Sequence, residues 1–325
     1  HAAIHYYNRG QYQESTDMWR RVLSMNVNYE LAYAGIGRSH FMSKDYESAM
    51  YYFRLANDRM LYSKAFRNYR REWFEEHFGY VVLIVGLILA FIIRQIRRGY
   101  SRESRLGDFK RLDDMTPASR LVDSLRYATH VILHPFDGFW DLKHENRGNT
   151  LSATVILILV NISYVAFRQY TGFIFNYRNP LTLNIYVETA SVLVPVLLYC
   201  AVNWAATTLM DGKGTFRDIY ITTAYGLTPI VVFFSPATIL SNYLIYEEGA
   251  MFYLLMAVSV IWSLALIFTG TMIIHDYDVK KNIIISVISA TGMGIAIFIA
   301  LLGSSIIAQL SGFVVDVYHE ITFRI

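Results

Sequence analysis

The chain has 325 residues, of which 54% are apolar and 17% charged, whereas soluble domains usually carry about a quarter of charged residues. This composition excludes a disordered chain, and the single cysteine, Cys200, excludes an internal disulfide and metal sites built on several thiolates. The formal net charge of +3 is too small to indicate a nucleic-acid partner. The charge is unevenly distributed, since 39 of the 55 charged residues lie in the first 150 positions.

The first 62 residues have an internal period of 34, which aligns Tyr12 with Tyr46 and Trp19 with Phe53. In the second copy, the run from Tyr33 to His40 matches the pattern W-x2-L-G-x2-Y, so the segment resembles the tetratricopeptide repeat family. Small residues let two antiparallel helices approach closely in such a repeat, and aromatic residues fill the space between neighbouring pairs. The packing positions expected here are Gly37, Tyr46, Ala49, Phe53 and Ala56. The alternative is an αα-hairpin of another kind with similar apolar spacing.

Two repeats are fewer than the three or so that normally make a stable stack, and the first copy starts partway through its first helix. We therefore expect the protein to continue upstream of His1, with a targeting signal in that portion. Residues 63–76 break the repeat pattern and read as a closing helix. It continues into the first apolar window, so one helix of roughly 50 Å is predicted over 63–96.

Six windows free of Asp, Glu, Lys and Arg indicate membrane spans, because a bilayer core needs about 20 mostly apolar residues per helix. They are 77–93, 148–167, 189–210, 219–246, 249–275 and 282–315. Five are long enough to span outright, and tilt or bilayer thinning can accommodate the short first one. The fold class predicted is all-α, with helical hairpins in front of a six-span bundle.

The distribution of Lys and Arg predicts the orientation of the spans. If the N-terminus is outside, the inner segments carry 15 basic residues and the outer segments after the first span carry three. A cluster of basic residues before the first span, Lys64 to Arg71, argues for the opposite orientation. The basic residues that follow the span are more numerous, so they decide the prediction. We therefore predict that both the N-terminus and the C-terminus lie outside.

The first inner segment begins with a basic linker over 94–115, after which Thr116 and Pro117 read as the start of an amphipathic helix. That helix is suited to lie on the inner leaflet and is expected to end at Pro135. The following stretch, 134–149, is predicted to form a re-entrant or interfacial elbow whose charges pair with one another and with lipid headgroups. Its candidate docking residues are His134, Phe136, Asp137, Phe139, Trp140, Asp141, Lys143, His144, Glu145 and Arg147.

The aromatic residues of this elbow, Phe136, Phe139 and Trp140, are typical of the interfacial belt of membrane proteins. A metal site formed by His130, His134, Asp137 and Asp141 is an alternative reading. It is disfavoured because Pro135 should break the helix and prevent stacking at i,i+4 spacing.

The run HPFDGFWDLKHENRG, followed by five apolar spans, resembles the bacterial branch of the Yip (Ypt-interacting-protein) membrane family. A second resemblance lies in residues 212–232, where a glycine-containing loop precedes a helix with a small-residue and proline step. The resemblance covers about 116–311 and implies a five-span domain with a cytoplasmic N-terminal arm in a bacterial cell membrane. It also implies an association with carbohydrate ABC importers, whereas the eukaryotic relatives resemble trafficking adaptors.

Few polar or kinking residues lie within the spans. Those singled out are Glu188, Asn203, Pro195, Pro229 and Pro236. Ionisable residues in a bilayer are functional suspects, but Glu188 can also be read as an interfacial cap, and Asn203 as a bond to a neighbouring helix. The three prolines are expected to kink the third and fourth spans. The sequence contains no nucleophile–base pair, HExxH motif, phosphate loop or dinucleotide fingerprint, so no catalytic residue, cofactor or metal is predicted.

Five segments follow from these observations. They are the outer repeats over 1–62, the closing helix and first span over 63–96, the cytoplasmic arm over 97–149, the five-span domain over 150–311 and a short outer tail over 312–325. The function predicted is that of a non-enzymatic adaptor that contacts lipid and other membrane proteins, among them carbohydrate ABC importer permeases and their solute receptor, with no nucleic-acid partner. The alternative is a small-solute or ion transporter with a site near the proline-broken spans.

Overall fold

The computed structural model describes residues 1–100, 117–145, 147–178 and 182–324. Within these residues the chain consists of helices and turns, without a strand, which confirms the all-α class. Six helical segments are long and apolar enough to cross a membrane. Most of the predicted basic linker and the predicted helix cap Thr116 lie outside the described residues.

The N-terminal segment forms four short helices, each packed against the next. They are α1 (Ala2–Asn8), α2 (Tyr12–Met25), α3 (Glu30–Met42) and α4 (Tyr46–Leu55). The glycines of α3 allow the close approach, because a Cβ at Gly37 would lie 2.7 Å from the ring of Phe53 and one at Gly35 would overlap the indole of Trp19. Ala49 and Phe53 are buried and form a small core together with Ala65 of the next helix.

Helix α4 begins at an Asp cap. The carboxylate of Asp45 accepts a hydrogen bond from the backbone N–H of Ser48 at 3.1 Å, and the His40 ring nitrogen lies 3.0 Å from its other oxygen. Burial acts to raise the pKa of Asp45, but the bonds from Ser48 and His40 outweigh it and hold that pKa below its ordinary value.

Helix α5 (Arg59–Tyr100) runs without interruption for 42 residues, about 63 Å at 1.5 Å per residue. It begins four positions before the predicted start at residue 63. It also continues past residue 94, where the linker was predicted to begin, because the stretch up to Tyr100 contains no proline and consists mainly of residues that favour helices.

Packing divides the chain into two units. The first comprises α1 to α5 together with residues 166–183 and 234–257, which include the C-terminal ends of α8 (Thr150–Tyr170) and α11 (Thr228–Ser241) and the start of α12 (Gly249–His275). Its second core is built on Ile174, Phe175, Ala237, Leu244 and Phe252, and is flanked by Tyr62 and Phe66 of α5.

The second unit comprises 116–165, 184–233 and 258–325. It contains α6 (Pro117–Leu133), α7 (Pro135–His144), α9 (Ile185–Leu209), α10 (Phe216–Gly226) and α13 (Val279–Arg324), with the remaining parts of α8, α11 and α12. Its core is centred on Tyr127, Val131, Phe139, Val160 and Tyr225.

The spans that contain Pro195 and Pro236 are continuous helices, whereas the span that contains Pro229 is divided. Helix α9 passes through Pro195 and α11 passes through Pro236 without a break. The predicted fourth span is instead divided at Leu227, two residues before Pro229, so α10 and α11 cross as two helices. Proline is tolerated in membrane helices where neighbouring helices and hydroxyl side chains satisfy the freed backbone groups.

Helix α13 has 46 residues, about 69 Å, which exceeds the roughly 30 Å of a bilayer core. The segment predicted as a short outer tail is helical over residues 312–324. These residues continue α13 as far as Arg324.

Candidate docking site at the elbow of α6 and α7

The predicted elbow is a pair of short helices joined at His134. Pro135 occupies the first position of α7, where its missing N–H leaves no hydrogen bond unmade and its fixed φ suits the helix. The two helices meet at Gly138, since a Cβ there would lie 2.9 Å from the Cα of Val131. The proline thus starts a new helix, and residues 135–144 of the elbow are helical.

One face of α7 is buried. Phe139 is fully buried and packs against Gly270 of α12, where a Cβ would lie 3.1 Å from the Phe139 ring. Phe139 therefore belongs to the core of the second unit, and its assignment to the interfacial belt was wrong. Leu142, on the same face, is buried as well.

Three of the charged elbow residues are engaged within the protein. Asp141 accepts a hydrogen bond of 2.5 Å from the hydroxyl of Tyr127 on α6. Arg147 lies over the Tyr127 ring, with Cζ 5.4 Å from its centre, and donates to Glu145 at 2.7 Å. Burial raises the pKa of Tyr127, and the bond to Asp141 raises it further, so the phenol stays protonated.

Lys143 ties α7 to the end of α12. Its ammonium donates to the carbonyl of Ile274 at 2.5 Å, in the last turn of α12, where the helix dipole favours a cation. Beside it, Lys213 pairs with Asp276 at 2.6 Å, and this bond lowers the pKa of Asp276. A cavity of about 370 Å³ lies between these groups and is also lined by Trp140, His144 and Tyr277.

The opposite face of α7 is exposed. Phe136 and Trp140 are 61% and 49% exposed, and Leu133 at the end of α6 is 72% exposed. The Trp140 ring stacks on His144, with 4.6 Å between centres. His134, Asp137 and Glu145 are also exposed. We call Leu133, Phe136, Trp140 and His144 the elbow surface.

The histidines of the elbow stack against each other. The rings of His130 and His134 lie 4.8 Å apart and nearly parallel, so the expectation that Pro135 prevents their stacking was wrong, because the break follows His134. Burial, and then the neighbouring His134, lower the pKa of His130. In the described part of the chain no group of three His, Cys, Asp or Glu residues is placed to hold a metal ion.

The polar residues predicted within the spans are buried. Asn203 donates to the hydroxyl of Ser289 at 3.2 Å and so links α9 to α13. Glu188 lies in the first turn of α9 and is only 9% exposed, with Asn184 capping the helix in front of it. Neither residue lies near the elbow in sequence, and the contacts of Asn203 are those of helix packing.

A family model described as the Yip1 domain matches residues 129–302. The chain belongs to the Yip1 domain family. With six apolar helical segments in the part of the chain that the structure describes, it is a multi-pass membrane protein. The Yip1 domain extends from within α6 to within α13 and therefore contains the whole of α7, the buried Tyr225 and Asn203. No curated protein and no solved structure matched the chain.

Sequence reasoning missed several residues that organise the Yip1 domain. Tyr225 is fully buried, donates to the backbone carbonyl of Ser124 at 3.0 Å and lies 3.0 Å from the hydroxyl of Ser152. His275 is also buried, and its ring nitrogen accepts the N–H of Gly214 at 3.2 Å. The sequence feature that could have predicted this contact is the pair Gly212 and Gly214, because two such glycines allow a side chain to approach the backbone closely.

Proposed function

We propose that this protein is a non-enzymatic membrane adaptor whose N-terminal helices present a protein-binding surface while the Yip1 domain docks on a partner membrane complex. The observation that carries the proposal is the attachment of α5 to the turn Tyr246–Glu248 of the Yip1 domain. Arg70 binds the carboxylate of Glu248 with two nitrogens at 2.8 and 2.7 Å, and Arg67 pairs with Glu247. The backbone N–H of Tyr246 donates to Ser63 at 2.8 Å.

This attachment supports a display role because it anchors α5, and with it the short helices that pack in series before it, to a loop of the membrane domain. The likeness of residues 1–62 to tetratricopeptide repeats, a family that binds other proteins, supports the same role. Exposed apolar side chains at the turn between α2 and α3 offer a binding surface there. Met25 is 79% exposed, Val27 67% and Leu31 53%.

Membership of the Yip1 family, a non-catalytic membrane family, also supports a role without catalysis. Three charged candidates of the elbow have partners within the protein: Asp141 binds the Tyr127 hydroxyl, Lys143 a backbone carbonyl, and Arg147 the carboxylate of Glu145. On the elbow surface, Phe136, Trp140 and His144 remain exposed to lipid or to a partner helix.

The partner proposed is a carbohydrate ABC importer in a bacterial cell membrane, with the N-terminal helices near its solute receptor. This partner and this location rest on the resemblance to bacterial Yip proteins. The orientation, with both termini outside, rests on the excess of Lys and Arg in the segments 94–147, 210–217 and 275–281.

The test is purification of the tagged full-length protein from native membranes with identification of what comes with it. We expect importer permeases or their solute receptor in stoichiometric amount, and lower recovery from a variant with Met25→Ser and Val27→Ser. Met60→Ser is the matched control, since Met60 is 60% exposed but lies away from the turn between α2 and α3. Recovery of the chain alone would overturn the adaptor proposal.

The alternative, a transporter with a site at proline-broken spans, has less support. Helix α9 is continuous through Pro195, and the amide nitrogen of Asn203 donates to Ser289. The buried Oδ1 of Asn203 has no hydrogen-bond partner among the described residues. Reconstituted flux that disappears on substitution of Asn203 would favour the transporter over the adaptor.

A further inference from the structure

A cavity of about 840 Å³ with several charged and amide side chains in its lining lies within the first unit. Its walls come from the start of α3, the end of α4, the start of α5 and the loop that follows α8. Its floor contains Tyr170, the last residue of α8, and Asn242, which follows α11 directly. Both helices are candidate spans, so the cavity lies at the ends of two candidate spans.

Three arginines and one glutamate supply the charged side chains of the lining. Arg54 and Arg59 are held by aromatic rings: the Arg54 guanidinium lies 5.3 Å from the centre of Tyr62, and that of Arg59 lies 4.7 Å from the centre of Tyr177. Both also lie over Phe173, at 5.7 and 5.1 Å. Such stacking orients a guanidinium and leaves its N–H edge available.

Most of these N–H donors have no acceptor in the described part of the chain. Arg54 donates once, to the Tyr62 hydroxyl, and Arg59 once, to the carbonyl of Asn176, although each guanidinium has five donors. The Nε of Arg59 is buried without a partner, and neither side chain has a carboxylate within ion-pair distance among the described residues. Arg178 is exposed at the rim.

The buried Nε of Arg59 lacks a partner, which carries a cost that an anion with many acceptor oxygens would relieve. Arg54 and Arg178 are exposed at the cavity, so their remaining donors are open to the same anion. The planar fork of arginine matches a phosphate group, to which it can donate two parallel bonds. The side-chain amides of Asn57 and Gln169 line the same cavity. Neither amide forms a hydrogen bond within the described residues. We propose that this cavity binds a phosphate group through Arg54, Arg59 and Arg178, either that of a lipid headgroup or that of a soluble phosphate ester.

The experiment uses the purified full chain in detergent, with two kinds of probe. Inorganic phosphate and glycerol 3-phosphate are titrated calorimetrically, and phosphatidylglycerol is added to micelles and its adducts are counted by native mass spectrometry. Binding of the soluble probes alone identifies a soluble ester, adducts alone identify a lipid, and both together identify a general phosphate site; each result supports the proposal. Absence of binding by either kind of probe overturns it.

The variants locate the site. Arg54→Gln with Arg59→Gln should weaken binding at least about tenfold, since charge-assisted bonds to the anion are lost. Arg38→Gln is the matched control, because Arg38 is exposed on α3 but does not line the cavity, and it should bind as the parent does. If the double variant does not fold, Arg178→Gln, which alters only an exposed rim residue, must still weaken binding about threefold. Unchanged affinity in the folded arginine variants would overturn the proposal.

Discussion

Gly138 is the residue at which α6 and α7 come closest, and its lack of a side chain is what permits the elbow. A Cβ in Gly138→Ala would lie 2.9 Å from a backbone atom of Val131, so one of the two helices would have to move. We expect a loss of about 1–3 kcal/mol in the free energy of unfolding, the usual effect of overpacking. Denaturation in detergent measures it.

The control is Gly294→Ala in α13, where no heavy atom lies within 4 Å of the added carbon. Equal stability of the two variants would show that α6 and α7 accommodate a Cβ at position 138 without a cost in stability.

Tyr127 and Asp141 form a hydrogen bond of 2.5 Å that joins α6 to α7. Tyr127→Phe removes the donor and leaves a partly buried carboxylate with one bond fewer, which should cost about 1.5–3 kcal/mol. Tyr51→Phe is the matched control, because Tyr51 is 61% exposed and forms no hydrogen bond within the described residues. Thermal unfolding compares the two, and the same midpoint in both would contradict the prediction.

Asp45 gives the N-terminal helices a dependence on pH. Its pKa is lower in the folded protein than in the unfolded chain, so its stabilisation is complete above the ordinary carboxyl pKa of about 4 and is lost as the pH falls through the folded value. Asp45→Ala should cost about 0.5–2 kcal/mol at pH 7, and Asp45→Asn, which keeps a cap, should cost less.

Unfolding midpoints of the parent and of Asp45→Asn from pH 3 to 7 test this. The difference between the two midpoints should become smaller towards pH 3. A constant difference would show that the charge of the carboxylate does not contribute to stability.

At the scale of the element, α5 carries both the first span and the contact with the turn Tyr246–Glu248. Arg70 and Glu248 are 28% and 38% exposed, so solvent screening limits the pair to roughly 1 kcal/mol of coupling even with two bonds. Arg70→Glu and Glu248→Arg should each raise hydrogen exchange in residues 63–76, and the combined reversal should restore much of the protection.

The matched control is the reversal of Arg71 and Glu75, which pair along α5 itself and are both well exposed. It should leave exchange at the turn Tyr246–Glu248 unchanged. If the single changes Arg70→Glu and Glu248→Arg also leave exchange at that turn unchanged, the pair does not hold α5 to the turn.

The elements that the sequence predicts best are the spans. Each of the six charge-free windows overlaps one of the six candidate spans, because freedom from charge over 20 residues is a property of the local sequence. The division at Leu227 lies two residues before Pro229, where a kink was expected, and Gly226 lies there against Ile267 of α12. Helix α7 was missed because Pro135 ends one helix and starts the next with the same residue.

At the scale of the whole molecule, the prediction with both termini outside can be tested with single cysteines. Cys200 is fully buried and can be replaced by Ala, which leaves a background without thiols. In intact cells, a membrane-impermeant maleimide should label Asn28→Cys and Thr322→Cys. It should label Lys213→Cys, which lies in a basic loop between spans, only after lysis. Labelling of Lys213→Cys in intact cells would show that the orientation is the opposite of the predicted one.

The sequence by itself determined that this protein is an all-α, multi-pass membrane protein of the Yip1 family, because apolar runs and the elbow motif are local features of the chain. Only the tertiary structure decided which elbow residues face the core and which arginines meet which partners. Arg70 and Glu248 are 178 positions apart, and Arg59 lies 117 positions from Asn176. Contacts of that kind depend on how helices that are distant in sequence pack together, so the periodicity of one segment does not predict them.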